Sequence, residues 1–173
     1  MFKEKFETKD LILRKAEMSD LNAIYKNFWS SKETAKYMTW KPCENIEEAK
    51  RKLEKFIESQ KTNMRYFVFD KNTNEVIGLA GVMEIGNGVF EDGGMGFGVN
   101  FVKKGYGTQI LKVLFDYLKN ELKAKKFICN CCTDNIPSKK LIEKFGFTYT
   151  HSEEGVRKWD GWHYVADFYE LKF

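Results

Sequence analysis

One stretch narrows the folds open to this chain more than any other. Val99-Asn100-Phe101-Val102-Lys103-Lys104-Gly105-Tyr106-Gly107-Thr108-Gln109-Ile110-Leu111 runs from an apolar strand through a basic, glycine-containing turn into a strongly amphipathic helix. Gly105 and Gly107 permit a tight turn and the close approach of a ligand. The N–H groups of the helix's first turn have no intrahelical acceptor and so are placed to hold an anion. Lys103 and Lys104 add positive charge at the same end. The third glycine of a dinucleotide fingerprint is missing, its place being taken by Ile110, and no G-x-x-x-x-G-K-[ST] occurs in the chain. The turn is therefore neither a Rossmann nor a P-loop element. It is either a plain structural turn or a phosphate cradle of another kind.

The elements around it follow from periodicity. Thr108 to Leu122 carries Ile110, Leu111, Leu114, Phe115, Leu118 and Leu122, the spacing of a helix lying on a sheet. It joins a glycine-laden strand, Gly93 to Val99, to a strand over Lys126 to Thr133. A strand–helix–strand unit of this length makes a right-handed crossover, so those two strands are expected to be parallel. Upstream, Asp10 to Ala16 reads as a strand, and Ser19 or Asp20 is expected to cap a helix bearing Leu21, Ile24, Tyr25 and Phe28. Asn45 with Glu48 forms a capping-box-like start for Ile46 to Gln60, whose Ala49, Leu53, Phe56 and Ile57 make one apolar stripe. Arg65 to Asp70 and Glu75 to Glu84 read as a hairpin closed by Lys71-Asn72-Thr73-Asn74, and Gly86-Asn87-Gly88 makes the next turn. Downstream, Asn135 opens a short helix with Pro137 in its first turn and Gly146 at its end. Phe147 to His151 and Tyr164 to Phe173 form a last antiparallel pair around the loop Trp159 to Trp162.

Bulk properties set the class. At 173 residues, a single domain over 1–173 with a proper core is expected. No apolar run approaches the ~18 residues a membrane span needs, which argues against a membrane protein. The first seven residues, Met1 to Glu7, lack the apolar core of a secretory signal, so a cytoplasmic location is expected. The net charge of +4 comes from interleaved acids and bases and does not point to nucleic acid. The Lys surplus sits in the half that carries the cradle, and much of it reads as a solvated face. Cys43, Cys129, Cys131 and Cys132 match no C-x-x-C redox or zinc spacing, and only two His are present, so no metal site is expected. The cysteines read as reduced structural thiols, with Cys129 and Cys131 on one strand face.

A second motif decides the meaning of the first. Asn135-Ile136-Pro137-Ser138-Lys139-Lys140-Leu141-Ile142-Glu143-Lys144-Phe145-Gly146-Phe147 lies one strand and one helix beyond the cradle. The pair, G-x-G opening a helix and then N-x-x-S-x-x-L-x-x-K-x-G-F, resembles the GNAT superfamily of N-acetyltransferases, and within it the ribosomal-protein alanine and serine N-acetyltransferase branch. The opening Asp10-Leu11-Ile12-Leu13-Arg14, followed by Ser19-Asp20 and a helix, is similar to that branch too, so the resemblance spans nearly the whole chain. It implies an α/β (α+β) fold: a mixed, mostly antiparallel central sheet with one splayed parallel strand pair and flanking helices. Two positions depart from the pattern. Val102 stands where relatives carry Gln or Arg three residues before the first turn glycine, and Ile142 stands where many carry a Tyr that protonates the leaving thiolate.

The resemblance implies acetyl-CoA as co-substrate and a primary amine as acceptor, either a protein N-terminus or a small molecule, in a monomer or homodimer. It places the coenzyme on Phe97 and Val99 of the splayed strand, on Lys104, Gly105, Tyr106, Gly107 and Thr108 of the cradle, and on Asn135 and Ser138. The oxyanion donor is expected to be a main-chain N–H near Phe97 to Val99. With Tyr absent at Ile142, Ser138 is the candidate partner of the leaving sulfur, beside Asn135; the alternative is that both merely cap a helix. Candidate bases are Glu84 at a strand end, Glu91 and Asp92 in a turn, and His151 and Asp167 on the terminal strands, with a water chain as the alternative. Trp29, Tyr37, Trp40 and the Trp159 to Trp162 loop are candidates to receive a cationic amine face-on, or else to seal core. A non-catalytic acyl-CoA sensor is the rival function.

Overall fold

The computed structural model describes residues 2–173. Alternation along the chain builds eight strands: β1 (Lys5–Glu7), β2 (Leu11–Arg14), β3 (Met64–Asp70), β4 (Val76–Gly86), β5 (Val89–Phe97), β6 (Lys126–Cys132), β7 (Thr148–Val156) and β8 (His163–Lys172). They form one sheet in the order β1-β2-β3-β4-β5-β6-β8-β7, antiparallel throughout except for the parallel pair β5 and β6. The mixed, mostly antiparallel architecture expected from the sequence is what forms. The hairpin, the parallel crossover and the closing antiparallel pair all stand where the turn residues and periodicity put them.

Helices cover both faces, so β3 is buried almost end to end and alternates between two cores. Tyr66 and Val68 pack with α3 (Tyr106–Asn120) and α4 (Ile136–Lys144), whereas Phe67 and Phe69 pack with α1 (Leu21–Ile24), the π-helical turn Tyr25–Trp29 and α2 (Ile46–Ser59). The α2 stripe behaves as its spacing dictates: Ala49, Leu53 and Phe56 are buried. Full burial of each of the two larger side chains contributes about 1.5–3 kcal/mol. The Asn45 side chain accepts from the Glu48 N–H at 3.0 Å, and the Glu48 carboxylate accepts from the Glu44 N–H at 2.9 Å, one residue earlier than a strict capping box.

Four details differ from the sequence reading. Residues Lys5–Glu7 add an edge strand that three residues cannot announce. The first helix is a short composite of 3₁₀, α and π turns. Asp20 does not cap it forwards but reaches back, accepting from the Glu17 N–H at 2.8 Å and from Arg14 at 2.7 and 3.0 Å. Glu91 and Asp92 lie inside β5 rather than in a turn. Val99 lies beyond β5, in a 3₁₀ turn over Val99–Phe101.

Candidate active site

The site originates in the parallel pair. β5 and β6 are paired only at Val89–Lys126, Phe90–Phe127 and Glu91–Ile128. Beyond that point each strand stays bound to its other neighbour, β5 to β4 as far as Phe97–Gly78 and β6 to β8 as far as Cys132–Ala166. The gap between them is thus held open from both sides. A β-bulge at its start explains the divergence. Ala80 pairs with Met95 and Val82 with Asp92, so Gly81 faces two residues, Gly93 and Gly94, and the bulge bends the strand. Gly94 has φ +100°, which a side chain would disfavour, and its N–H donates to the Asp92 carboxylate at 2.9 Å.

A cleft of about 670 Å³ runs through this gap. On the α3 side it is bordered by Asp92, Met95, Cys129, Cys131, Ser138 and Ile142, and on the α2 side by Trp40, Lys52, Arg65 and Met83. At the C-terminal end of β5 lies the cradle. Lys103 (φ +61°) and Gly105 (φ +76°) both take the left-handed conformation that turns the chain into α3, and a Cβ built on Gly105 meets nothing within 4 Å. Tyr106, Gly107 and Thr108 occupy the first turn, where main-chain N–H groups have no intrahelical acceptor. Gln109 pins this end down, its side chain accepting from Thr8 and the Asp10 N–H and donating to Asp10 at 2.6–3.1 Å.

Each candidate side chain now has a place. Tyr106 points inward, donating to Asp70 at 2.8 Å, a bond that pushes its phenol up to about 12. Only its main chain faces the cradle. The missing side chain of Gly107 leaves room for packing, because a Cβ there would lie 2.8 Å from the Leu141 side chain. The Lys104 ammonium folds back over the Phe101 and Tyr106 rings, at 5.5 and 5.9 Å. The β5 residues bordering the cleft are Asp92 to Met95, upstream of Phe97 and Val99. The Gly98 N–H, within the segment expected to supply the oxyanion donor, is spent on the Ile77 carbonyl at 2.9 Å. Asn135 and Ser138 both border the cleft. Asn135 also caps α4, accepting from the Ser138 N–H at 3.4 Å, while the Ser138 hydroxyl lies beside the buried Cys131 thiol.

Of the five candidate bases, Asp92 alone borders the cleft. Burial pushes its carboxyl up to about 6, opposed by the Gly94 N–H. Glu84 is exposed on the outer end of β4. Asp167 is buried but committed, accepting from Ser152 at 2.7 Å and Lys139 at 3.2 Å, bonds that hold its carboxyl below the usual range. His151 stacks on Phe168 at the surface and faces Glu153 at 3.1 Å.

The aromatic residues do not form an empty cage. Trp29 is core. The Lys52 ammonium lies 3.8 Å from the Trp40 ring centre and 5.1 Å from that of Trp29, and the Arg157 guanidinium lies 4.3 Å from Trp159 and 4.6 Å from Trp162. The protein's own cations therefore occupy these faces. Lys52 had a signal in the sequence, since it interrupts the apolar stripe three residues after Ala49 and four before Phe56. Arg157 had none: its partners are the carbonyls of Ala35, Lys36 and Met38, more than a hundred residues away.

A sheet split between parallel strands, with an anion cradle at the mouth of the split, defines an acyltransferase of the thioester-using kind. A model of the acetyltransferase (GNAT) domain matches residues 10–148, and the chain belongs to that family. It is 29% identical over 150 residues to the uncharacterized N-acetyltransferase p20 of Bacillus licheniformis, covering 83% of this chain and 82% of p20. Its fold is similar to that of a putative ribosomal-protein-serine acetyltransferase from Vibrio cholerae (TM-score 0.80, 17% identity, 98% of this chain and 97% of that one). It is also similar to the spermidine N-acetyltransferase of Vibrio cholerae solved with CoA and spermine (TM-score 0.77, 21% identity, 94% and 95%). Among the described residues no helix is long and apolar enough to cross a membrane.

Proposed function

We propose that this single acetyltransferase domain moves the acetyl group of acetyl-CoA to a primary amine by direct attack in a ternary complex. The observation that carries the reading is the continuity of the cradle at the start of α3 with the gap between β5 and β6. The N–H groups of Tyr106, Gly107 and Thr108, with Lys103 and Lys104 beside them, suit a pyrophosphate. The parted strands leave main-chain groups that a pantetheine amide chain can satisfy, since unpaired buried backbone groups are costly. Bound there, acetyl-CoA supplies an electrophilic carbonyl and a thiol leaving group. The main chain of Asp92 to Met95 is the place for an oxyanion donor. Asp92 takes the proton of the incoming ammonium, directly or through water; a base titrating near 6 is ionised at neutral pH yet basic enough to accept it. As the C–N bond forms and the C–S bond breaks, the Ser138 hydroxyl hydrogen-bonds the departing sulfur, and the surplus proton of the acylated nitrogen passes to that sulfur, so that free thiol leaves. The demand on it is small, because a thiolate with an intrinsic pKa near ~8.5 is a tolerable leaving group.

Calorimetric titration with acetyl-CoA and thiol release in the presence of an amine panel test the proposal together. Tight binding and amine-dependent release are expected. Binding without release from any amine would make the protein an acyl-CoA sensor instead, and loss of neither binding nor release in folded Gly105→Val would remove the cradle from the account.

A further inference from the structure

We infer that the acceptor is a small amine that also carries an acidic group, a carboxylate or a phosphate, and that Lys52 and Arg65 receive that group. The inference rests on the acetyltransferase reading above. Both side chains border the cleft on its α2 side. The Lys52 ammonium is buried without any hydrogen-bond partner and, among the described residues, neither Lys52 nor Arg65 has a carboxylate within ion-pair distance. Arg65 makes only a 3.4 Å bond to the Ser59 hydroxyl and lies over the Phe56 ring at 4.8 Å. Burial lowers both, Lys52 to about 8, so each is held at a cost that an arriving anion relieves.

A buried polar group without a partner requires a reason, and an unoccupied substrate contact supplies one. Across the sheet, on the α3 side of the cleft, stands Asp92. A molecule with an ammonium at one end and an anion at the other matches this polarity. A polyamine does not, because its second cation would meet Lys52 where the Trp40 face is already taken. The four-carbon stem of Lys52 lets its ammonium swing off the Trp40 ring toward the anion, leaving that ring as the apolar wall beside it.

The test uses the whole chain saturated with acetyl-CoA, following thiol release with L-glutamate, L-methionine, O-phosphoethanolamine, benzylamine and spermidine. The acidic amines should be the best substrates, and whichever of the carboxylate or phosphate compounds has the lower KM identifies the anion. Lys52→Met should raise KM for the acidic amines on the order of 10–100-fold, the loss of one charged hydrogen bond, with kcat nearly unchanged. It should leave KM for benzylamine and the affinity for acetyl-CoA as they were, and Lys52→Arg should recover most of the loss. Preference for spermidine, or an unchanged KM for the acidic amines in Lys52→Met, overturns the inference while leaving the acetyltransferase reading intact. If no amine releases thiol, tryptophan fluorescence decides it: quenching by O-phosphoethanolamine or glutamate that Lys52→Met abolishes supports the anion site, and its absence overturns it.

Discussion

Replacing Arg157 with Met should damage the acceptor side of the cleft and spare the coenzyme side. The guanidinium is nine-tenths buried and holds Asp160 through two bonds, at 2.9 and 2.5 Å, while its third nitrogen donates to the carbonyls of Ala35, Lys36 and Met38 at 3.0–3.1 Å. One side chain thus ties the 157–162 loop to the 35–38 segment that carries Tyr37 and Met38. Breaking a fully buried ion pair costs about 3–5 kcal/mol, and a bond to a charged group about 1.5–3 kcal/mol. These do not add here, because Asp160 keeps 29% of its side-chain exposure and Lys36 and Met38 are not fully buried. A net loss of roughly 2–4 kcal/mol is the expectation, which for a chain of this size lowers Tm by roughly 5–15 °C. Met keeps the stem volume, so the loss reports the charge and the fork. Arg157→Lys should behave almost as badly, because an ammonium cannot match Asp160 and three carbonyls at once. Calorimetric melting measures the first effect. Steady-state thiol release measures the second, a higher acceptor KM with acetyl-CoA affinity retained. A Tm within 2 °C of the parent and an unchanged acceptor KM would refute the reasoning.

Asp92→Asn should trade activity for stability. Because the folded carboxyl titrates near 6 against an ordinary 3.8, ionising it opposes folding. Its stabilising, protonated form is fully present below about 4 and lost as pH rises through 6, so the variant should be more stable than the parent by roughly 1–3 kcal/mol at pH 8 and no more stable at pH 4. Its turnover should fall, and the parent's kcat/KM should rise through pH 6; melting at the two pH values and a pH–rate profile check both. Ser138→Ala should lower turnover with acetyl-CoA affinity kept if the hydroxyl meets the leaving sulfur, whereas unchanged turnover makes Ser138 a packing residue. Gly107→Ala should cost about 1 kcal/mol in stability by pressing on Leu141, with coenzyme affinity little changed because the main-chain N–H remains; loss of binding with unchanged Tm would show that ligand approach, not packing, requires the glycine.

The elements were legible because each writes its period into consecutive residues. The stripe of α2, the Asn45 cap, the 71–74 turn and the parallel strands around α3 depend on which faces are apolar and where the backbone must turn, and neighbours in the chain carry that information. The turn into α3 was legible for the same reason: a left-handed Gly105 and the N–H groups of the helix start are properties of one short segment. Tertiary structure alone decided the rest. The gap opens at Glu91 because β4 and β8 each hold one strand past that point, a competition no local pattern records. Asp92 gains its raised pKa only when folding buries, beside β6, a carboxylate that in sequence looks like a solvated neighbour of Glu91. Trp40 and Trp162 read as receptors for a cation until folding brings Lys52 and Arg157 against them. That occupancy depends on distance in space, which no local pattern of apolar and aromatic residues records.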